Sequence, residues 1–162
     1  MLRQAATKRA EREAKMKDVI GPDPVDLDAM TSIRDAALAH LLDRSAPFKT
    51  RRAKRTLTDI SHRVSRRQCP EYLEANILTR LAVGAPARRV QNDLNHLFQW
   101  CMAEQVPQRL ERFKDQLRAI EAGGVDLKGL DLPVAFAQLD EDLVWSQTAE
   151  VMRQVQKVLG NV

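Results

Sequence analysis

Residues 84–124 decide the fold class, and they read GAPARRVQNDLNHLFQWCMAEQVPQRLERFKDQLRAIEAGG. Prolines and glycines divide this stretch into two segments, since Pro favours the start of a helix and Gly its end. Within each segment the apolar residues recur at steps of four and three, which is the spacing of one helix face. They are Val90, Leu94, Leu97 and Cys101 in the first segment, and Val106, Leu110, Phe113, Leu117 and Ile120 in the second. The pattern predicts two amphipathic helices that pack side by side.

Proline and glycine residues also mark breaks between helical segments on both sides of this stretch. Further breaks are predicted at 21–24 (GPDP), 45–48 (SAPF), Cys69-Pro70 and the loop 123–133. The segments between them consist largely of good helix formers, and none alternates with a period of two. The sequence therefore predicts an all-α fold, a bundle of about six helices in a domain spanning 22–162. Residues 1–21 have few large apolar side chains, so we expect a loosely attached, basic helical arm there.

The last segment has more apolar surface than one packing stripe needs. Its stripe is Val144, Thr148, Val151, Val155 and Val158, flanked by Trp145, Met152 and Leu159. Two interpretations stay open: a central core helix, or a helix over 140–160 that contacts a protein partner or a second subunit. The acidic run at 140–142 is interpreted as the first turn of this helix, where carboxylates interact favourably with the helix dipole.

Composition excludes several classes of protein. With 162 residues, 44% of them hydrophobic, the chain is long enough for one domain with a core. No stretch approaches the roughly 20 continuous apolar residues of a membrane span, and the N-terminus lacks the apolar segment of a secretory signal. Cys69 and Cys101 have no disulfide-framework spacing, which indicates free thiols. We expect a cytoplasmic protein.

Positive charge is concentrated in one segment. Residues 44–67 contain nine Lys or Arg residues and one acidic residue, Asp59, whereas 21–43 and 123–162 are acidic overall. Residues 49–67 give a clear amphipathic pattern on a helical wheel. The apolar sector holds Ala53, Leu57, Ile60 and Val64; the opposite side holds Arg51, Arg55, His62 and Arg66; the flanks hold Arg52, Lys54 and Arg63. This segment is predicted to pack by one face and to present cations on the other.

Arginine side chains one helical turn apart suit a phosphate backbone, because each guanidinium can bind phosphate oxygens in a bidentate manner. Neutralising several phosphates gives affinity that depends on salt and not on base sequence. We therefore expect a non-enzymatic nucleic-acid-binding protein, or a subunit of a nucleoprotein complex, that binds DNA or RNA. The candidate nucleic-acid-binding residues are Arg51, Arg52, Lys54, Arg55, His62, Arg63, Arg66, Arg88 and Arg89.

Residues 73–94 also allow a helix-turn-helix interpretation, in which Gly84 lies in the turn and Arg88 and Arg89 open the second helix. Arg80 and Asp93 depart from that motif, since each stands where a small or apolar residue normally packs. An ordinary helical hairpin with an exposed Arg pair is therefore favoured.

The alternative function is that of a helical adaptor or assembly factor whose basic face docks on an acidic protein partner. A further interpretation also stays open, in which the acidic segments 23–43 and 126–142 neutralise the basic helix within the fold. No CxxC, HxxxH, HExxH or Gly-rich phosphate loop is present, so neither a metal site nor a cofactor nor catalytic residues are predicted.

Overall fold

A computed structural model describes residues 22–160, except for the side chains of 142–150. In this range the chain is helical without any strand, so the all-α prediction is confirmed. The elements are α1 (Pro24–Leu42), α2 (Thr50–Ser61), a short 3-10 helix (Arg66–Gln68), α3 (Pro70–Ala82), α4 (Ala87–Ala103), α5 (Pro107–Ala122) and α6 (Leu132–Gly160). The arm predicted over 1–21 lies outside the described residues.

Proline and aspartate set where several helices begin. Pro24, Pro70 and Pro107 each stand at the start of a helix, where the missing N–H has no intrahelical partner to lose. Asp23 accepts a hydrogen bond from the backbone N–H of Val25 at 2.8 Å and so caps α1. These local signals explain why the breaks read from the sequence agree with the observed connections.

Three consecutive helices, α3, α4 and α5, end in the same way. The residue after the cap is left-handed in each, with φ of 69° at Gly84, 58° at Gln105 and 91° at Gly124. The next backbone N–H then donates to a carbonyl five residues earlier, as in a Schellman motif. The pairs are Ala85 to Arg80 at 2.9 Å, Val106 to Cys101 at 2.9 Å and Val125 to Ile120 at 3.4 Å. Backbone hydrogen bonds therefore stabilise each of these three connections.

Helix α3 lies at the centre of the packing. Nine of its 13 residues are buried, and it packs against α1, α2 and α4. The stripes predicted for α4 and for most of α5 form the core beside it, which confirms those predictions. Val90, Leu94, Leu97, Cys101, Leu110, Phe113, Leu117 and Ile120 are all at most 2% exposed. A smaller apolar cluster joins α1, α2 and the start of α3, and it includes Met30, Leu57, Ile60 and Tyr72.

Two helix boundaries differ from the sequence-based prediction. Helix α2 ends at Ser61 and does not continue to residue 67. The chain turns there, and Arg63 pairs with Asp26, a residue 37 positions earlier that no local pattern could indicate. Helix α6 begins at Leu132, so the acidic run at 140–142 lies in its third turn and the first-turn interpretation was wrong. Asp131 instead accepts from the N–H of Val134 at 3.3 Å.

The two ends of α6 have different surroundings. Leu132, Phe136 and Leu139, on its first turns, are at most 7% exposed and belong to the core. From residue 151 to residue 160 every side chain is exposed. Val151, Met152, Val155, Val158 and Leu159 are between 46% and 68% exposed. The core interpretation of the last stripe was therefore wrong over 151–158, and this part of α6 offers an uncovered apolar surface.

Candidate nucleic-acid interface

The orientation of α2 is fixed by three buried side chains. Ala53, Leu57 and Ile60 are at most 5% exposed, and Leu57 and Ile60 pack in the apolar cluster against α1 and α3. Because these three share one face of the helix, the remaining faces are turned to solvent. Those faces present four exposed cations, Arg51, Arg52, Lys54 and Arg55, which we call the basic face.

None of the four cations of the basic face forms a salt bridge with a carboxylate among residues 22–160. Three carboxylates of the two acidic segments pair with other cations. Asp35 pairs with Arg34, Asp26 with Arg63, and Asp126 with Lys128. The sequence left open whether the acidic segments neutralise the basic helix. In the described part of the chain, Arg63 is the one cation of residues 49–67 that forms a salt bridge with an acidic segment.

Arg63 has a different environment from the basic face. Its Nη2 donates to Oδ1 of Asp26 at 2.8 Å, and its Nε donates to Oδ2 at 3.1 Å. Asp26 is only 7% exposed, and these hydrogen bonds lower the pKa of its carboxyl group. Because Nε and Nη2 of Arg63 already donate to Asp26, this side chain ties the segment after α2 to α1 and has fewer free donors than the cations of the basic face.

His62 and Arg66 lie beyond the end of α2. They therefore do not share a helix face with Arg51 and Arg55, as the helical wheel predicted. Both are exposed, and Arg66 opens the 3-10 helix. That short helix packs against α3 and α4, and the charge of Arg66 acts on the carboxyl group of Asp93 in α4. Arg89 lies one turn before Asp93 on the same face. The 3-10 helix thus packs against the helix that carries Arg88 and Arg89 in its first turn.

Arg88 and Arg89 are exposed in the first turn of α4, as the sequence predicted. Neither forms a salt bridge with a described residue. Arg88 also lines an open groove of about 470 Å³ between α4 and α6. Carboxamide side chains share this groove, from Gln91, Asn92 and Asn95 of α4 and Gln138 of α6. The region joins a cation to several groups that can both donate and accept hydrogen bonds.

The two residues that depart from the helix-turn-helix pattern contact each other. Nε of Arg80 lies 3.5 Å from Oδ2 of Asp93, and Nδ2 of Asn76 donates to the same oxygen at 2.8 Å. Burial raises the pKa of Asp93, while Arg80 and Asn76 favour its charged form. The pair therefore holds α3 against α4 and gives both residues a structural role.

Sequence reasoning missed a charged network between three helices. Oε1 of Glu74, on α3, accepts from Nη2 of Arg109, on α5, at 2.6 Å and from Nη1 of Arg34, on α1, at 3.4 Å. Glu74 is 6% exposed, and Arg109 also stacks on the ring of Trp100 with 5.7 Å between Cζ and the centroid. No local signal marks these residues, because the contacts span 35 and 40 positions.

No family model, curated protein or solved structure matches this chain. None of the helices within 22–160 combines the length and the apolar character that a bilayer span requires. The described His, Cys, Asp and Glu side chains form no group of three that could hold a metal ion. The uncompensated basic face, together with Arg66, Arg88 and Arg89, is the feature from which a function can be argued.

Proposed function

We propose that this chain is a non-enzymatic nucleic-acid-binding protein, or the nucleic-acid-binding subunit of a larger complex. The observation that carries the proposal is the basic face of α2, where four cations on adjacent turns lack a carboxylate partner among the described residues. Clustered like charges repel one another and attract a polyanion, so binding would relieve the repulsion and add direct contacts.

In this proposal α2 lies along a phosphate backbone. Arg51 and Arg55, one turn apart, are the principal ligands, since a guanidinium fork matches two phosphate oxygens. Arg52 and Lys54 contact phosphates on either side, and Arg66, Arg88 and Arg89 extend the surface towards α4. Phosphate contacts position a protein on nucleic acid without reading bases. The proposal is therefore for binding that is governed mainly by charge.

The test is titration of labelled duplex DNA, single-stranded DNA and RNA with the full chain at several salt concentrations, followed by fluorescence anisotropy. We expect affinity to fall steeply with salt. The double variant Arg51→Ala, Arg55→Ala should bind more weakly and reduce the slope of log K against log salt by about two, since each lost phosphate contact removes ~0.9 for duplex DNA. No binding to any of these polymers at low salt would overturn the proposal.

The matched control removes two cations elsewhere. Arg112 on α5 and Lys157 on α6 are exposed, and neither belongs to the basic face. The variant Arg112→Ala, Lys157→Ala has the same net charge as the test variant, so a general charge effect would weaken both equally. Loss of affinity in the control with retention in the test variant would exclude α2 as the interface.

A second candidate function, a helical adaptor or assembly factor, is favoured by the uncovered apolar side chains over 151–160 of α6. Such a surface is typical of a contact with a protein partner or with a second copy of the chain. In that role the basic face would dock on an acidic protein. Sedimentation of the purified chain tests the idea: a strictly monomeric protein without a co-purifying partner would count against it, and Val155→Glu should disrupt any assembly that forms.

A further inference from the structure

An open groove of about 440 Å³ lies between α1 and α2. From α1 it is lined by Ala29, Ile33 and Ala36, and Phe48 and Ala53 contribute further apolar surface. The three α1 residues follow steps of four and three, so they form one stripe along that helix. The nucleic-acid interface proposed above shares only Arg52 with this groove.

The geometry of the groove suits a third helix. Two neighbouring helices that each present a stripe to the same side leave a channel into which the side chains of another helix can pack. The alanines at 29, 36 and 53 are small, so a helix backbone can approach closely. Recognition of an amphipathic helix by an apolar groove uses anchors at i, i+3, i+4 and i+7.

The charges of the groove limit the identity of its occupant. Lys49 and Arg52 line the α2 side, and no carboxylate is among the lining residues. Neither cation forms a salt bridge within residues 22–160. A helix seated here would therefore be stabilised by carboxylates along the flank that faces α2.

The chain itself does not supply a helix of that charge. Residues 1–20 contain six basic and three acidic side chains, so Lys49 and Arg52 would repel this segment. The exposed end of α6 from a second copy has Arg153 and Lys157 and no acidic residue over 151–160. We propose that the α1–α2 groove binds an acidic amphipathic helix of a different protein.

The groove and the principal phosphate ligands lie on different sides of α2. Arg51 and Arg55 point away from the buried stripe, whereas Lys49 and Arg52 flank the groove. Arg52 belongs to both surfaces, so a bound acidic helix competes for one cation of the basic face. The inference does not rest on nucleic-acid binding, because the apolar lining and Lys49 lie outside the phosphate contacts and Arg52 alone is shared.

The experiment selects peptides on the full chain from a display library of 15-residue sequences. The library has Leu at i, i+3, i+4 and i+7 and random residues elsewhere. We expect the enriched peptides to contain an excess of Asp and Glu beside the Leu stripe. Their affinity is then measured by fluorescence anisotropy against two variants of Ser32, an exposed residue that lines the groove.

Ser32→Glu and Ser32→Lys form a matched pair, because Glu and Lys have similar helix propensities and both are tolerated on an exposed face. Ser32→Glu should weaken an enriched acidic peptide by about tenfold relative to Ser32→Lys, through repulsion between like charges. Thermal unfolding of both variants checks that the fold is unchanged.

Two outcomes overturn the proposal. One is a selection that enriches no acidic peptide. The other is an enriched peptide that binds the two Ser32 variants equally, or that loses affinity only in the variant Arg51→Ala, Arg55→Ala, since it would then lie on the basic face. Weakening of nucleic acid but not of peptide by Ser32→Glu would assign the groove to nucleic acid instead.

Discussion

At the scale of single residues, the ends of α3 and α4 offer a matched comparison. Gly84 and Gln105 occupy the same left-handed position in two Schellman motifs, but only Gly84 is suited to it. Gly84→Ala should lower the free energy of unfolding by about 1–2 kcal/mol, the cost of a Cβ in that conformation. The new Cβ would also lie 3.2 Å from Cε of Lys128, a flexible side chain that can move.

Gln105→Gly should raise the free energy of unfolding. Relief of the left-handed strain exceeds the added freedom of glycine in the unfolded chain, so we expect a gain of about 0.5–1 kcal/mol. Urea unfolding of both variants beside the wild type provides the measurement. A loss of stability in Gln105→Gly would mean that the Gln105 side chain makes a compensating contribution.

The Asp26–Arg63 pair predicts a pH dependence of stability. Hydrogen bonds from Arg63 lower the pKa of Asp26 below its usual 3.8, so the folded state binds a proton less readily than the unfolded state. The stabilisation from this pair is present above the unfolded pKa and is lost as the pH falls through the folded pKa. Urea unfolding from about pH 6 to about pH 3 should show a steeper loss in the wild type than in Arg63→Gln. Identical slopes would contradict the assignment.

At the scale of helices, the sequence was informative wherever the cause is local. Proline and glycine located the connections at Cys69-Pro70, Gly84 and Val106-Pro107 because they act on the backbone of their immediate neighbours. Apolar spacing identified the buried faces of α4 and α5 because burial follows the period of the helix. The four cations of the basic face were predicted for the same reason, since Ala53, Leu57 and Ile60 determine which side of α2 faces solvent. His62, Arg63 and Arg66 were wrongly placed on the same helix, because α2 ends at Ser61.

The remaining features depend on distant contacts. No glycine or proline lies between Ser61 and Cys69, so nothing local marks the end of α2. That end is accompanied by the contact of Arg63 with Asp26, and the groove between α1 and α2 likewise follows from how two separate segments meet. The apolar stripe at 151–158 shows another limit of sequence-based prediction. Its spacing predicts one face of a helix, but it does not tell whether the core, a partner or solvent lies against that face.

Glu74 ties three helices together, and its removal should be costly. Glu74→Ala leaves Arg109 and Arg34, whose side chains are 24% and 28% exposed, without their shared carboxylate. We expect a loss of about 2–3 kcal/mol, somewhat less than for a fully buried ion pair. The control is Asp35→Ala, which removes an exposed partner of Arg34 and should cost at most about 0.5 kcal/mol. Equal effects in urea unfolding would show that the network adds nothing beyond a surface pair.

At the scale of the whole molecule, α6 is longer than the core requires. Its 29 residues span about 43 Å at 1.5 Å per residue, yet among its described side chains the buried ones lie on the first turns. Deletion of 151–162 should therefore shift Tm by less than about 2 °C, since no buried side chain is removed from the described part. Scanning calorimetry measures the shift. A fall of more than about 5 °C would show that this end of the chain contributes to the fold.

The backbone-closed turns after α3 and α4 also bear on how quickly the chain folds. Both join helices through connections of a few residues, and contacts of short sequence separation form with a small loss of chain entropy. Helix α1 is different, because Arg34 must find Glu74 and Asp26 must find Arg63 across 40 and 37 positions. We therefore expect the α3–α4–α5 unit to assemble early, with the return of α1 as the slower step.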